Sequence, residues 1–145
     1  MRNLKFRAWD NGMEMMVYQG DDEIYICFDG EKWKLLDYYG THWETDEHGM
    51  NEIEQPWEVE NIEIMQWTGL KDKNGVEIYE GDFLMAGDAY LGVIKYHSTR
   101  AQFIGKNIGE TFQEDEYDTL YTKNGRFNSA KVIGNIYENP ELLED

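Results

Sequence analysis

Basic residues are what this sequence most lacks: thirteen Lys and Arg stand against thirty Asp and Glu, for a formal net charge of −17. The deficit is uniform, because residues 1–50, 51–100 and 101–145 carry 11 acids to 5 bases, 10 to 4 and 9 to 4, so no single acidic tail accounts for it. Most faces should repel a phosphate polyanion, and direct nucleic-acid binding is not expected, since that affinity is built from Lys and Arg neutralising phosphates. The acidity has a plain use in keeping a protein soluble. It also admits a sharper use, in which ordered carboxylates imitate DNA and occupy a nuclease or other DNA-binding protein.

Cysteine is nearly absent. Cys27 stands alone in "EIYICFDG", among aromatic and β-branched neighbours, where a free thiol behaves as a small core hydrophobe and nothing adjacent activates it as a nucleophile. A disulfide framework is excluded, which suits a reducing compartment. Long apolar runs are missing too: nothing approaches the roughly 20 residues of a membrane span, and "MRNLKFRAWD" has no signal-peptide core. The expectation is a soluble, cytoplasmic protein of one domain, large enough to bury roughly two-thirds of its unfolded surface. Phosphate-cradling patterns are also absent, with neither G-x-x-x-x-G-K-[ST] nor a G-x-G-x-x-G between strand and helix. No catalytic residues, cofactor or metal are therefore assigned, and the protein is not read as an enzyme.

What is present is turn chemistry. Asn11-Gly12, Asp29-Gly30, Asn74-Gly75 and Asn124-Gly125 recur between short segments of aromatic and β-branched residues. Asn and Gly tolerate the positive φ of tight hairpin turns, so each dipeptide predicts a β-hairpin. The strands expected are 4–9, 14–18, 23–28, 32–36, 62–68, 76–79, 82–86, 90–97, 101–104 and 131–137. "YLGVIKYH" should be central, because Leu91 and Val93 on one face and Tyr90, Ile94 and Tyr96 on the other leave neither strongly polar. Helix is scarce: "GETFQEDEYDTLYT" offers an incomplete apolar stripe for a short helix or ordered loop, and Asn139-Pro140 has the order of an N-cap followed by a first helical residue. The fold class is mainly β, or α+β, with at most one or two short helices. It divides into N-terminal hairpins over 1–40, an acidic connecting segment over 41–60, and a small-barrel-like β region over 61–145.

The densest stretch is "IMQWTGLKDKNGVEIYEGDFL", with Asp72, Asn74, Glu77, Glu80 and Asp82 around Gly75 and Gly81. A helix-loop-helix calcium site needs oxygen ligands at positions 1, 3 and 5, Gly at 6 and Glu at 12. Setting Gly75 at 6 places Leu70 at 1 and Gly81 at 12, so both end ligands are missing. Asp72, Asn74 and Gly75 instead suit one reversal, and Gly81 and Asp82 a second, tighter one. "HWETDEH" could capture a divalent ion through His42 and His48 with Glu44, Asp46 and Glu47, but its spacing matches no zinc pattern. His97-Ser98 lacks a nucleophile elbow and a third partner, and reads as a turn. Of Trp9, Trp33, Trp43, Trp57 and Trp67, most should fill the core; Trp43 and Trp57 fall in the polar segment and are the candidates for a protein-interaction or self-association surface.

Three blocks carry a resemblance: "KFRAWD" near the start, "IMQWTGLKDKNGVEIYEGD" in the middle and "VIGNIYENPELL" near the end. Together, in this order, they resemble the signature blocks of the YopX family of phage and prophage proteins. The regions between them, 20–60 and 107–128, are where such sequences differ. The resemblance implies a phage or prophage gene product in a bacterial cytoplasm that forms homo-oligomers, with a host or phage protein as a further partner. It brings no catalytic or cofactor residue to carry over. Read physically, Thr68-Gly69-Leu70 should end a strand, "VIGNIY" should be a closing strand, and Gly134 should mark a bulge or a close backbone approach. The strands from 62 onward could curl into a barrel of the Src-homology kind, a scaffold that usually binds peptides.

Overall fold

A computed structural model of the chain describes residues 4–21, 24–37, 42–53, 57–106, 118–119 and 129–143. The fold is mainly β, and the described chain falls into two compact units, Lys5–Ile64 and Met65–Asp145 with Met1–Leu4.

In the unit Lys5–Ile64, β1 (Phe6–Asp10) and β2 (Met15–Tyr18) form an antiparallel hairpin with Ala8 opposite Val17. The Asp10 carboxylate shapes the turn by accepting the Gly12 and Met13 N–H groups at 2.7 and 3.1 Å. β3 (Ile24–Phe28), β4 (Trp33–Asp37) and β7 (Trp57–Val59) make a three-stranded sheet in the order β3-β4-β7. Ala8, Val17 and Leu35 are buried together, with Ile26, Val59, Ile62 and Ile64 packed against them. Trp33 lies between the rings of Phe6 and Phe28, with centroids 5.1 and 5.3 Å away.

Segment 41–60 gives no strand signal in the sequence, yet three strands fall inside it. Besides β7, β5 (His42–Asp46) and β6 (Gly49–Ile53) form a hairpin that pairs only with itself among the described residues. Backbone pairing overrides weak intrinsic propensity here, because what favours a strand is mostly its cross-strand context.

β8 (Ile62–Lys71) begins in this unit and continues into the other, where it pairs with β9 (Glu77–Tyr79). The expected strand end at Thr68-Gly69-Leu70 is corrected by the structure: β8 runs on to Lys71. The register between β8 and β9 shifts between Trp67 and Lys71, and Gly69 sits at φ +87°. This is a bulge, which re-aims a strand without ending it.

A five-stranded antiparallel sheet fills the rest of this unit, in the order β13-β12-β11-β10-β14. It comprises β10 (Asp82–Ala86), β11 (Ala89–His97), β12 (Gln102–Lys106), β13 (Asp118–Thr119) and β14 (Ala130–Asn135), and it curls into a half-barrel. β11 is central, as its two-sided apolarity predicts. Bulges bend β10 against both neighbours, with register shifts at Leu84/Met85 towards β11 and at Phe83/Leu84 towards β14. Ile78, Leu84, Ile94, Phe103 and Ala130 form the buried core, with Leu70 and Val132 packed on it. Pro140–Leu143 is a short 3₁₀ turn following Asn139. Asp118 and Thr119 are strand, paired with Gly105 and Ile104; the rest of the stretch considered for a short helix lies outside the described residues, as does Asn124-Gly125.

Candidate functional site

The middle block supplies the most concentrated polar chemistry, and three of its polar side chains, Thr68, Asp72 and Asp82, are buried. Asp72 is 6 % exposed. Its Oδ1 accepts the N–H groups of Asn74 and Val76 at 2.7 and 2.9 Å, and its Oδ2 accepts that of Val132 at 3.0 Å. The turn closes as Gly75 N–H donates to the Asp72 carbonyl at 3.0 Å and Asp72 N–H to the Val76 carbonyl at 2.8 Å. Gly75 holds φ +84°, so the loop is a type I turn continued by a left-handed residue, the common three-residue hairpin connection. Burial alone would raise the Asp72 pKa. The three N–H groups, from Val132, Val76 and Asn74, together with the Lys73 charge outweigh it and hold the carboxyl below its ordinary value.

The second reversal is tighter. Asp82 is 1 % exposed and accepts the Tyr79 N–H at 2.7 Å, while Gly81 at φ +80° occupies the position a type II turn reserves for glycine. Gly81 also ties this turn to β11 and to the residue after β14: its N–H donates to the Ile94 carbonyl at 2.8 Å and its carbonyl accepts from Ile136 at 2.9 Å. Upstream, buried Thr68 donates its hydroxyl to the Ile78 carbonyl at 2.8 Å, and the Trp67 indole N–H reaches the Leu70 carbonyl at 2.9 Å, so both hold the bulge.

The closing block is stitched the same way. Asn135, 4 % exposed, accepts the N–H groups of Tyr137 and Glu138 at 3.1 and 3.0 Å and donates to Glu138 at 2.5 Å. The Asn139 side chain accepts the Asn135 N–H at 3.3 Å. A Cβ at Gly134 would collide with that side chain, coming within 2.8 Å of its Cγ, so glycine is required by close approach. The bulge at the same place skips Ile133, since Phe83 faces Gly134 and Leu84 faces Val132. The bond of Thr68 to Ile78, the role of Asn135 and the reach of Asp72 to Val132 are not singled out by the sequence. For Asn135 the signal was there, as two asparagines bracketing a three-residue gap before proline.

The other candidates do not converge. His42 opens β5 and the exposed His48 lies in the turn beyond its far end, so the length of the strand, about 13 Å, separates them. Trp43 faces Glu52 and Trp57 faces Asp37 in backbone register, on different sheets. Cys27 is a free, half-buried thiol opposite Lys34. His97 ends β11 and Ser98 begins a 3₁₀ turn, where Ala101 N–H donates to the Ser98 carbonyl. Among the described residues no three His, Cys, Asp or Glu side chains are grouped to hold a metal ion.

Lys34 bridges Glu58 at 2.9 Å and Asp29 at 3.2 Å, and Lys32 bridges Glu60 at 2.7 Å. The N–H groups of Lys32 and Glu31, and then Lys34 itself, pull the Asp29 pKa down to about 2, while Glu58 and Asp29 raise that of Lys34. No helix among the described residues is long and apolar enough to cross a membrane.

Comparison with known proteins agrees with this geometry. The family model described as YopX protein matches residues 5–144. The crystal structure of protein EF1440 from Enterococcus faecalis is similar, with a TM-score of 0.59, 28 % identity and coverage of 99 % of each chain. No curated protein matches the sequence.

Proposed function

This chain belongs to the YopX family, and from that premise we propose that it is a non-enzymatic accessory protein of a phage or prophage. In this reading it assembles as a homo-oligomer in the bacterial cytoplasm and works by protein–protein contact. One observation carries the reading: the buried polar side chains of the family blocks are consumed by the fold. Asp72 has both carboxylate oxygens on backbone N–H groups, and Thr68, Asp82 and Asn135 are buried with backbone partners of their own. A general acid or a metal ligand needs an oxygen that can reach a substrate or ion. Large apolar side chains are also presented to solvent outside the blocks, among them Met13, Tyr25, Phe28 and Tyr96. The test is the mass of the purified protein by light scattering; an assembly larger than one chain is expected, and a monomer at every concentration and salt would overturn it.

A second reading, an acidic inhibitor imitating DNA, is favoured by one stretch. Residues 35–70 hold nine Asp and Glu and no Lys or Arg. Glu58 and Glu60 already pair with Lys34 and Lys32, which weakens it. Competition with duplex DNA for a purified host nuclease, lost in moderate salt, would support this reading over the first.

A further inference from the structure

β3 ends its sheet, and among the described residues no strand pairs with its outer edge. The Asp29 N–H donates to the Lys32 carbonyl at 3.2 Å, closing the hairpin with β4. Hydrogen-bonded and non-bonded pairs alternate along an antiparallel ladder. Cys27–Lys34 and Tyr25–Leu36 are therefore the bonded pairs, and the N–H and C=O groups of Ile24, Ile26 and Phe28 face away from β4. The strand reads Ile-Tyr-Ile-Cys-Phe, without a charge, a proline or a bulge, the devices that usually blunt an edge. Tyr25 and Phe28 are 58 % and 53 % exposed.

We propose that this edge pairs with the same edge of a second copy, antiparallel about a two-fold axis through Ile26, so that two three-stranded sheets become one continuous sheet. The inference rests on the homo-oligomeric reading above and names its interface. The second copy is the occupant because the strand is self-complementary. About Ile26 the cross-strand pairs are Ile26 with Ile26, Ile24 with Phe28, and Tyr25 with Cys27, all uncharged. The first two kinds are the pairs in which both residues exchange N–H···O=C bonds, so the outward groups of Ile24, Ile26 and Phe28 are all satisfied. A two-fold interface must match itself in this way. The charges lie just outside: Asp22 and Glu23 precede the strand and Asp29 follows it, which limits the pairing to these five residues. Asp29 is already held by Lys34, so its repulsion is partly offset.

The native thiol makes the register testable. Ile26 packs inward with Ala8, Val17 and Leu35, so alternation puts Tyr25 and Cys27 on the other face. In the proposed pairing Tyr25 and Cys27 of the second copy form a non-hydrogen-bonded pair, with Cα atoms about 4.5 Å apart, inside the range a disulfide spans. Under mild oxidation Tyr25→Cys should yield a covalent dimer on a non-reducing gel, and adding Cys27→Ser should abolish it. Tyr25→Glu, at an exposed position, should stay folded by circular dichroism and dissociate at about tenfold higher protein concentration, because each introduced carboxylate sits opposite Cys27 of the second copy and diagonal to its own counterpart on the same face. An oligomer that Tyr25→Glu leaves unchanged, with no cross-link from Tyr25→Cys, would remove this edge as the interface while leaving the homo-oligomer standing. A wild-type monomer throughout would remove both.

Discussion

The Oδ2 atom of Asp72 accepts the backbone N–H of Val132 at 3.0 Å, across sixty residues of sequence. The same carboxylate shapes its own turn through Asn74 and Val76. A hairpin loop and the closing strand are thus fastened by one side chain, and Lys73 N–H adds a second tie to the Ala130 carbonyl at 2.9 Å.

Asp72→Asn should therefore be costly although it is nearly isosteric. The amide can keep one oxygen for Asn74 and Val76, but its NH₂ then faces the Val132 N–H, donor against donor. Leaving a buried N–H unsatisfied costs about 1–3 kcal/mol, which chemical denaturation would register as a lowered midpoint with an unchanged slope. A midpoint equal to wild type would show that the tie to β14 contributes nothing.

The acid limb of stability follows from the same group. Asp72 and Asp29 both have folded pKa values below the ordinary 3.8, that of Asp29 about 2. A depressed carboxyl contributes stability that is fully present above its unfolded pKa and lost as pH falls through its folded one. The melting temperature should stay level down to about pH 5 and fall from about pH 4 towards 2, and Asp72→Asn should flatten that fall. Loss of stability beginning near neutral pH would point to other groups.

At the turn, Gly75→Val and Lys73→Ala should separate. A Cβ at Gly75 meets nothing within 4 Å, so the cost comes from holding a β-branched residue at φ +84°. That strain is roughly 1–2 kcal/mol, whereas Lys73→Ala preserves the backbone tie and should change stability by under about 0.5 kcal/mol. Thermal melts of the two variants give the comparison, and equal melting temperatures would sink it.

Calcium should not bind the 72–82 stretch. A site there would need the Asp72 oxygens that three N–H groups occupy. Calorimetric titration at physiological salt should show no heat, and a micromolar site would require the loop to open.

Self-association should tighten as salt rises. Copies of net charge −17 repel one another, and exposed charges are screened over about 8 Å at physiological ionic strength. An apolar interface gains from that screening, while one built on complementary charge loses. Light scattering from low to moderate salt distinguishes them, and dissociation on adding salt would exclude the apolar interface.

The hairpins at Asn11-Gly12, Asp29-Gly30 and Asn74-Gly75 are legible because these dipeptides declare their backbone angles locally. β11 is legible as central because both its faces are apolar. β5, β6 and β7 are not, since their acidic residues dilute any alternation and their strand character comes from pairing. The turn at Asp72 can be read from its four residues, but its bond to Val132 cannot, because no local pattern specifies a partner sixty positions away. The same holds for β8, which the Thr68-Gly69 signal reads as ending but which the Trp67 and Thr68 side chains carry through a bulge.

The boundary between the two compact units falls between Ile64 and Met65, inside β8. Modular chains usually change hands in exposed linkers, but here one unbroken strand serves as the last element of one unit and the first of the next. A chimaera of two relatives joined at that residue would splice a strand in mid-ladder and ask each parent to complete the other's hydrogen-bond register. Gene shuffling within the family should therefore succeed at seams before Ile62 or in the turn after Lys71, with β8 inherited whole.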